Sequence, residues 1–294
     1  INNDLWGITM KKLLLQLDTD ANPSVFDTVV GYDGGADHVI GHGNCNPDNV
    51  GALVEGAIFT RSPKEKKNTA LFLGGSDLIA GEKLLSAVKS TFFSNFRVSA
   101  MLDSNGSNTT AAAAVAKMMV STSLKGKRAV ILGGTGPVGQ RAAVMLVQEG
   151  ASVCIASRKQ SRAVEACAHI ETEFDVTVEA AGAATNEERA KLCADAQIVF
   201  TTGAAGVQLL DAEHWQNNKN IEVIADANAT PPLGIGGTDM MDEGKESHGT
   251  IIWGAIGFGK LKLALHRACI AKLFESNDQI FDAGEIFALA KKMA

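Results

Sequence analysis

The chain has 294 residues, of which 46% are hydrophobic, 20% charged and 5% aromatic, enough for two α/β domains of ordinary globular composition. A net charge of -6, with no basic stripe interleaved with aromatics, excludes nucleic acid as the main partner, and no apolar run reaches the roughly 18 residues of a membrane span. The cysteines (Cys45, Cys154, Cys167, Cys193, Cys269) are odd in number, scattered and without a C-x-x-C pair, which argues against a disulfide framework or a zinc site and for free thiols in a reducing cytoplasm.

Residues 1–9 contain Asp4 and no basic segment, so they do not read as a secretory signal; Met10-Lys11-Lys12 reads as the start, preceded by an extension. Residues 13–17 form a compact apolar run and are expected as a buried strand ending at Asp18-Thr19-Asp20. A helix is expected over 23–32, capped by Asn22 with Pro23 in its first position. A glycine- and acid-rich turn precedes the β-like Val39-Ile40, and 50–60 fits a short helix or a strand. Residues 61–67 read as a charged surface loop. Strands follow at 69–73 and 97–102, around a helix capped by Ser76 and running to about 93. This alternation predicts a small, mostly parallel sheet.

An alanine-rich helix at 111–120 reads as the bridge to a second domain. There the run 129–132 ends in Gly133, and a helix-compatible segment, 138–149, follows at once. Gly134, Gly136 and Gly139 have the G-x-G-x-x-G spacing of a dinucleotide turn. The first glycine allows the reversal, the second lets backbone approach a pyrophosphate, and the third lets helix and strand lie close. Pro137 suits the first helical position. Further strands are expected at 152–156, 176–180, 198–202, 221–225 and 251–256, with helices at 159–174 and 186–194. Six strands with such crossovers make a doubly wound, Rossmann-type domain. The last of these strands is expected to end in Gly257-Phe258-Gly259, and 261–274 and 282–292 are expected as helices packing back on the first domain.

The end of the second strand of that domain meets the adenosine ribose, where an acid would select NAD. Here it reads Ser157-Arg158-Lys159-Gln160-Ser161-Arg162, a hydroxyl and up to three cations, which suits the 2′-phosphate of NADP. No G-x-S-x-G elbow supports a Ser-His-Asp triad. His38 and His42 are four apart, but His38-Val39-Ile40-Gly41-His42 is not a helical zinc motif, so no metal is expected. The carboxylates Asp18, Asp20, Asp33, Asp37 and Asp103 fall at strand ends or in glycine loops, where open α/β sheets bind ligands. Lys262 and His266 are four apart and share one helical face.

Several stretches closely resemble the methylotroph family of NADP-dependent methylene-tetrahydromethanopterin dehydrogenases. They are Pro23-Ser24-Val25-Phe26-Asp27, Gly31-Tyr32-Asp33-Gly34-Gly35-Ala36-Asp37-His38, and residues 102–110, 133–139, 228–237 and 265–276. The resemblance runs from Met10 to the C-terminus. It departs at residues 1–9, which have no counterpart, and at Lys260, where the family has a small residue.

What the resemblance implies is an oxidoreductase of one-carbon metabolism that moves a hydride from methylene-tetrahydromethanopterin to NADP, and that accepts methylene-tetrahydrofolate too. It implies two α/β domains with the pterin in the cleft between them. The pterin domain is expected over 10–115 with 275–294, and the NADP domain over 116–274. It also implies a homo-oligomer built on trimers.

The pyrophosphate is then assigned to Gly134, Thr135, Gly136, Pro137 and Val138, and the 2′-phosphate to Ser157, Arg158 and Lys159. Thr202, Gly203, Ala204 and Asn228 are assigned to the nicotinamide half. The pterin is assigned to Asp18, Asp20, Asp103, Asn105, Lys262 and His266. No catalytic acid or base is strictly required, and Lys262 and Asp20 are the candidates if one acts. A methylene-tetrahydrofolate dehydrogenase is the near alternative, and a non-catalytic NADPH-binding protein the distant one. A combined dehydrogenase/cyclohydrolase would need a positioned first-domain lysine, and Lys64, Lys66, Lys67, Lys83 and Lys89 fall in a charged loop or on a helix.

Overall fold

The computed structural model describes residues 10–294; Ile1–Thr9, read above as an extension, lie outside the described residues. Contacts divide the chain into two compact units. One holds the described residues up to Gly106 with Ala264–Glu285, and the other holds Ser107–Leu263 with Ile286–Ala294. These boundaries differ from the sequence expectation at both ends. The alanine-rich helix falls in the second unit from Ser107 onward, and so does the chain from Ile286. Lys291 there pairs with Glu149 at 2.5 Å, and Lys117 donates to the Ala294 carbonyl at 3.4 Å.

In the first unit β1 (Leu13–Asp18), α1 (Val25–Asp33), β2 (His38–His42), α2 (Val50–Phe59), β3 (Thr69–Gly74), α3 (Leu78–Thr91) and β4 (Ser99–Leu102) follow in turn. Their sheet is parallel, in the order β12-β4-β3-β1-β2, where β12 (Ile280–Phe281) is a two-residue edge paired with Ala100 and Met101. Every residue of β3 is buried, as a central strand covered on both faces requires. Val54 and Ile58 of α2 and Leu84 and Val88 of α3 pack against Leu71 and Leu73 of β3. Each such side chain removed from water contributes about 2 kcal/mol.

The helix caps lie inside the expected ones. Ser24 Oγ accepts from Asp27 N at 3.2 Å, in place of Asn22, and Asp77 accepts from Ala80 N at 2.9 Å, in place of Ser76. Lys66, expected in a solvated loop, is 1% exposed, with Nζ 3.8 Å from the Phe96 ring centroid.

The second unit opens with α4 (Ser107–Ser121), β5 (Arg128–Leu132), α5 (Pro137–Gln148), β6 (Ser152–Ser157), α6 (Gln160–Phe174), β7 (Glu179–Gly182) and α7 (Asn186–Leu192). It continues with β8 (Ile198–Thr201), α8 (Ala212–Gln216), β9 (Val223–Asp226), β10 (Glu243–Ser247) and β11 (Thr250–Trp253). The long α9 (Ala255–Leu273) and α10 (Ala283–Met293) end the chain. The sheet order is β10-β11-β9-β8-β5-β6-β7. All its pairs are parallel except β10 with β11.

The six expected strands are therefore present, in the doubly wound order that reverses between β5 and β8. The antiparallel edge β10 is additional; four of its five residues are exposed and it carries no apolar alternation. The glycine run at 257–259, expected to end the last strand, lies inside α9. A Cβ on Gly257 would stand 1.9 Å from the Asp242 carbonyl, so this glycine serves close helix packing.

Candidate functional site

In a parallel sheet the strand C-termini gather at one edge, and in the second unit that edge carries the glycine turn. Gly133, at φ +69°, leaves β5, and both it and Gly134 donate to the Ala156 carbonyl of β6 at 3.0 and 3.2 Å. On the other side Thr202 N donates to Leu132 O at 3.0 Å, and its hydroxyl to Gly133 O at 3.3 Å. A Cβ on Gly139 would lie 2.5 Å from Gly134 Cα, so strand and helix touch backbone to backbone there. At Gly136 a Cβ would meet nothing within 4 Å, so open space faces the turn. Gly136 also caps α5 with no side-chain hydrogen bond, and Pro137 follows in the first turn. The helix start thus presents backbone N–H groups to whatever occupies that space.

Beside the turn lies a cavity of about 620 Å³. Of the residues assigned to a nucleotide, Thr135, Ser157, Arg158, Lys159, Gly203 and Ala204 line it. Gly134, Gly136, Pro137, Val138, Thr202 and Asn228 are not in its lining. The carboxamide of Asn228 accepts from Thr230 N at 2.8 Å and Gly206 N at 3.4 Å and donates to Pro232 O at 3.0 Å, so Asn228 shapes its loop. It is anchored in turn by Asp226, which accepts from Asn228 N at 2.9 Å, Thr201 Oγ1 at 2.7 Å and Ile235 N at 3.1 Å. Burial pushes the Asp226 carboxyl above the usual carboxylate range, and these donors pull the other way.

The lining holds four cations (Arg158, Lys159, Arg162, Arg189) and no carboxylate. Arg158, Lys159 and Arg162 are exposed, and none forms an ion pair among the described residues. Arg189 and the segment Val207–Leu209 went unnoticed in the sequence, because they come from α7 and from the chain after β8, far from any motif.

The loops that end the strands of the first unit hold the other assigned residues. Asp18 is buried, and its carboxylate accepts from Asp20 N at 2.9 Å and Ser24 N at 3.1 Å. Asp20 is exposed and accepts from the amide and hydroxyl of Ser76 at 3.0 and 2.9 Å, tying the loops after β1 and β3 together. Asn105 is exposed at φ +54°, with its N–H donating to Gly75 O at 2.6 Å.

Asp103 and His266 are fully buried and 3.8 Å apart, and the imidazole stacks on Phe72 at 5.3 Å. Asp18, Asp103 and His266 are thus all buried, whereas Asp20 and Asn105 are exposed. Asp33 and Asp37 do not join them. Asp33 pairs with Arg267 at 2.6 Å at the end of α1, and Asp37 precedes β2, at the opposite end of the sheet. The Lys12 amide donating to Asp37 lowers that carboxyl below its usual range. Lys262, on α9, is half-buried and groups with the second unit, and Lys260 pairs with Glu243.

Burial raises the thiols of Cys154 to about 11 and Cys193 to about 12, and raises Cys269 further, so none supplies a thiolate nucleophile near neutrality. Asp211, Glu213 and His214 bring possible ligand atoms within 4.8 Å of one another, but Asp211 is already engaged by Asn186 and Gln208.

Residues 25–105 match the family described as methylene-tetrahydromethanopterin dehydrogenase, N-terminal. The chain is 58% identical, over 97% of its length and 99% of the relative's, to the bifunctional protein MdtA of Methylorubrum extorquens. It is 30% identical, over the same shares, to the NAD(P)-dependent methylenetetrahydromethanopterin dehydrogenase of that organism. Among solved structures, ligand-free 5-ketofructose reductase of Gluconobacter sp. strain CHM43 is similar, at a TM-score of 0.52 and 16% identity over 97% of this chain and 99% of that one. That last likeness speaks for the fold alone. With two relatives matched along nearly their whole length, the chain belongs to the methylene-tetrahydromethanopterin dehydrogenase family.

Proposed function

We propose that the protein is an NADP-dependent oxidoreductase of one-carbon metabolism that takes a hydride from methylene-tetrahydromethanopterin and leaves the methenyl carrier. The observation that carries the nucleotide half is the cavity beside the glycine turn, with cations and no carboxylate at the end of β6. The residues fit the nucleotide. Gly136 faces open space at an uncapped helix start, where a pyrophosphate is favoured by backbone N–H groups and the helix dipole. NADP, when bound, supplies the hydride acceptor at C4 of its nicotinamide.

The chain's own groups bind and orient. Thr135, with Gly134, Gly136, Pro137 and Val138, forms the pyrophosphate turn. Ser157, Arg158 and Lys159 hold the 2′-phosphate by charge-assisted hydrogen bonds. Thr202, Gly203 and Ala204, backed by Asn228, shape the wall toward the nicotinamide half. Asp20 and Asn105 present the pterin-binding loops, with Asp18, Asp103 and His266 holding those loops from behind.

Asp20 can accept hydrogen bonds from an amino-pyrimidine edge, and its charge favours the cationic methenyl product. The two nitrogens flanking the reacting carbon delocalise that charge, so Lys262 has a binding role and no proton to transfer. Orientation of the two rings then supplies several kcal/mol of the barrier reduction.

No helix of the described residues is long and apolar enough to cross a membrane. Cytoplasmic residence is the reading that the free thiols support. A homo-oligomer is supported by the clustered rings of Phe59, Phe93 and Phe96, which are 56%, 52% and 38% exposed, and light scattering that shows a monomer would refute it.

The deciding experiment follows NADPH absorbance with methylene-tetrahydromethanopterin and then methylene-tetrahydrofolate as donor. NADPH formation with the first is expected, and the ratio of the two rates assigns the carrier. No NADPH from either donor would overturn the proposal.

A further inference from the structure

Arg158, Lys159 and Arg162 leave their charges to the cavity, whereas Arg189 spends its guanidinium on the protein. Its Nε donates to Leu209 O, and its Nη1 donates to Ala184 O at 3.1 Å and Ala183 O at 3.5 Å. Those three carbonyls belong to two separate walls of the same cavity, the loop after β7 and the segment after β8. Glu188, the preceding residue, completes the clasp from the donor side. Its Oε2 accepts from Ala184 N at 2.6 Å and Thr185 N at 3.0 Å, so the Ala184 residue is held by both its N–H and its carbonyl. A second strap runs parallel: Asp211 N donates to Asn186 Oδ1 at 3.2 Å, and Asn186 Nδ2 donates back to the Asp211 carboxylate.

The wall held this way bears directly on the glycine turn. A Cβ on Gly203 would lie 2.8 Å from Leu209 Cδ1, and one on Gly133 would lie 3.3 Å from it. Leu209 is thus packed beneath the two glycines that join the ends of β5 and β8. A shift of Leu209 changes the cavity floor.

We propose that Arg189 is a positioning residue for the nucleotide. It latches the loop after β7 to the segment after β8 and so sets the width of the adenosine half of the cavity. This rests on the reading of that cavity as the NADP site. A guanidinium suits this latch, because Nε and Nη1 donate from one rigid plane to carbonyls on two loops, whereas a lysine ammonium offers its donors from a single point. A latch differs from a phosphate ligand in what it discriminates: it acts on NADPH and NADH alike.

The test is fluorescence titration of the full-length protein with NADPH and with NADH, alongside steady-state rates. In Arg189→Met both dissociation constants rise about tenfold, by the same factor, while kcat at saturating nucleotide stays within about twofold. Arg189→Lys, which keeps the charge and loses the fork, raises both by at least about threefold. If Arg189→Met fails to fold, Asn186→Ala removes the second strap alone and raises both constants about threefold.

A rise confined to NADPH would make Arg189 a phosphate ligand, and unchanged constants with a lowered melting temperature would make it merely structural. Either result overturns the latch. Wild-type protein that binds neither nucleotide would instead defeat the reading of the cavity itself.

Discussion

Nδ1 of His266 lies 3.8 Å from Oδ2 of Asp103, with both side chains shielded from solvent, and the imidazole rests on the ring of Phe72. This joins α9 to the loop after β4, whose Asn105 is held in the left-handed region. His266→Ala opens a cavity and takes a polar partner from a buried carboxylate. A loss of about 2–4 kcal/mol of stability is expected, read by denaturant unfolding. NADPH affinity should stay within about twofold, since the nucleotide residues belong to the other unit; full stability in the variant would refute the pair's role.

Arg158 is the cation nearest in sequence to the end of β6, exposed in the cavity wall and bonded to no protein group among the described residues. Arg158→Ala should raise KM for NADP about 10–100-fold, the worth of one or two charge-assisted bonds, with kcat within about twofold. KM for NAD should barely move. An unchanged preference between the nucleotides would remove Arg158 from the 2′-phosphate site.

Gly136 and Gly139 separate two uses of glycine. At Gly136 the backbone is extended, at φ -81° and ψ 173°, and a methyl meets only open space, so Gly136→Ala should fold as well as wild type. It should nonetheless weaken NADPH binding at least about tenfold by occupying the pyrophosphate's approach. Gly139→Ala forces a methyl to 2.5 Å from Gly134 Cα and should cost about 1–3 kcal/mol in stability. If Gly136→Ala binds NADPH normally, the pyrophosphate does not sit against this turn.

Cys193 makes stability depend on alkali. Its thiol is raised by burial from the ordinary 9.0 to about 12. Below pH 9 native and unfolded chains both hold the proton. Between pH 9 and about 12 the unfolded chain releases it while the native one keeps it, so stability falls as pH rises, by up to about 1.4 kcal/mol per pH unit. Melting temperatures from pH 8 to 10.5 should therefore fall less steeply for Cys193→Ala than for wild type. Equal slopes would show that the native thiol ionises as freely as the unfolded one.

Much of this protein was legible locally. The glycine spacing, the apolar runs before it and the basic stretch from Ser157 to Arg162 encode a strand–turn–helix and the charge at the next strand's end, and each acts within a few residues of itself. That is why the order of the second unit's sheet and the cluster of cations at the end of β6 could be read without coordinates. The same short range explains the small errors: Ser24 and Asp77 replace Asn22 and Ser76 as caps because neighbouring polar residues compete for the same helix start.

Burial and long-range pairing were decided only in three dimensions. Nothing in the sequence separates Asp20, which is exposed, from Asp103, which is buried against His266, because the difference comes from elements far apart in the chain. Lys66 likewise looks like any surface lysine until Phe96 comes to lie beneath it. Arg189 looks like one more charge on a short helix. Its meaning arises when the strand ends bring Ala183, Ala184 and Leu209 within reach of one guanidinium.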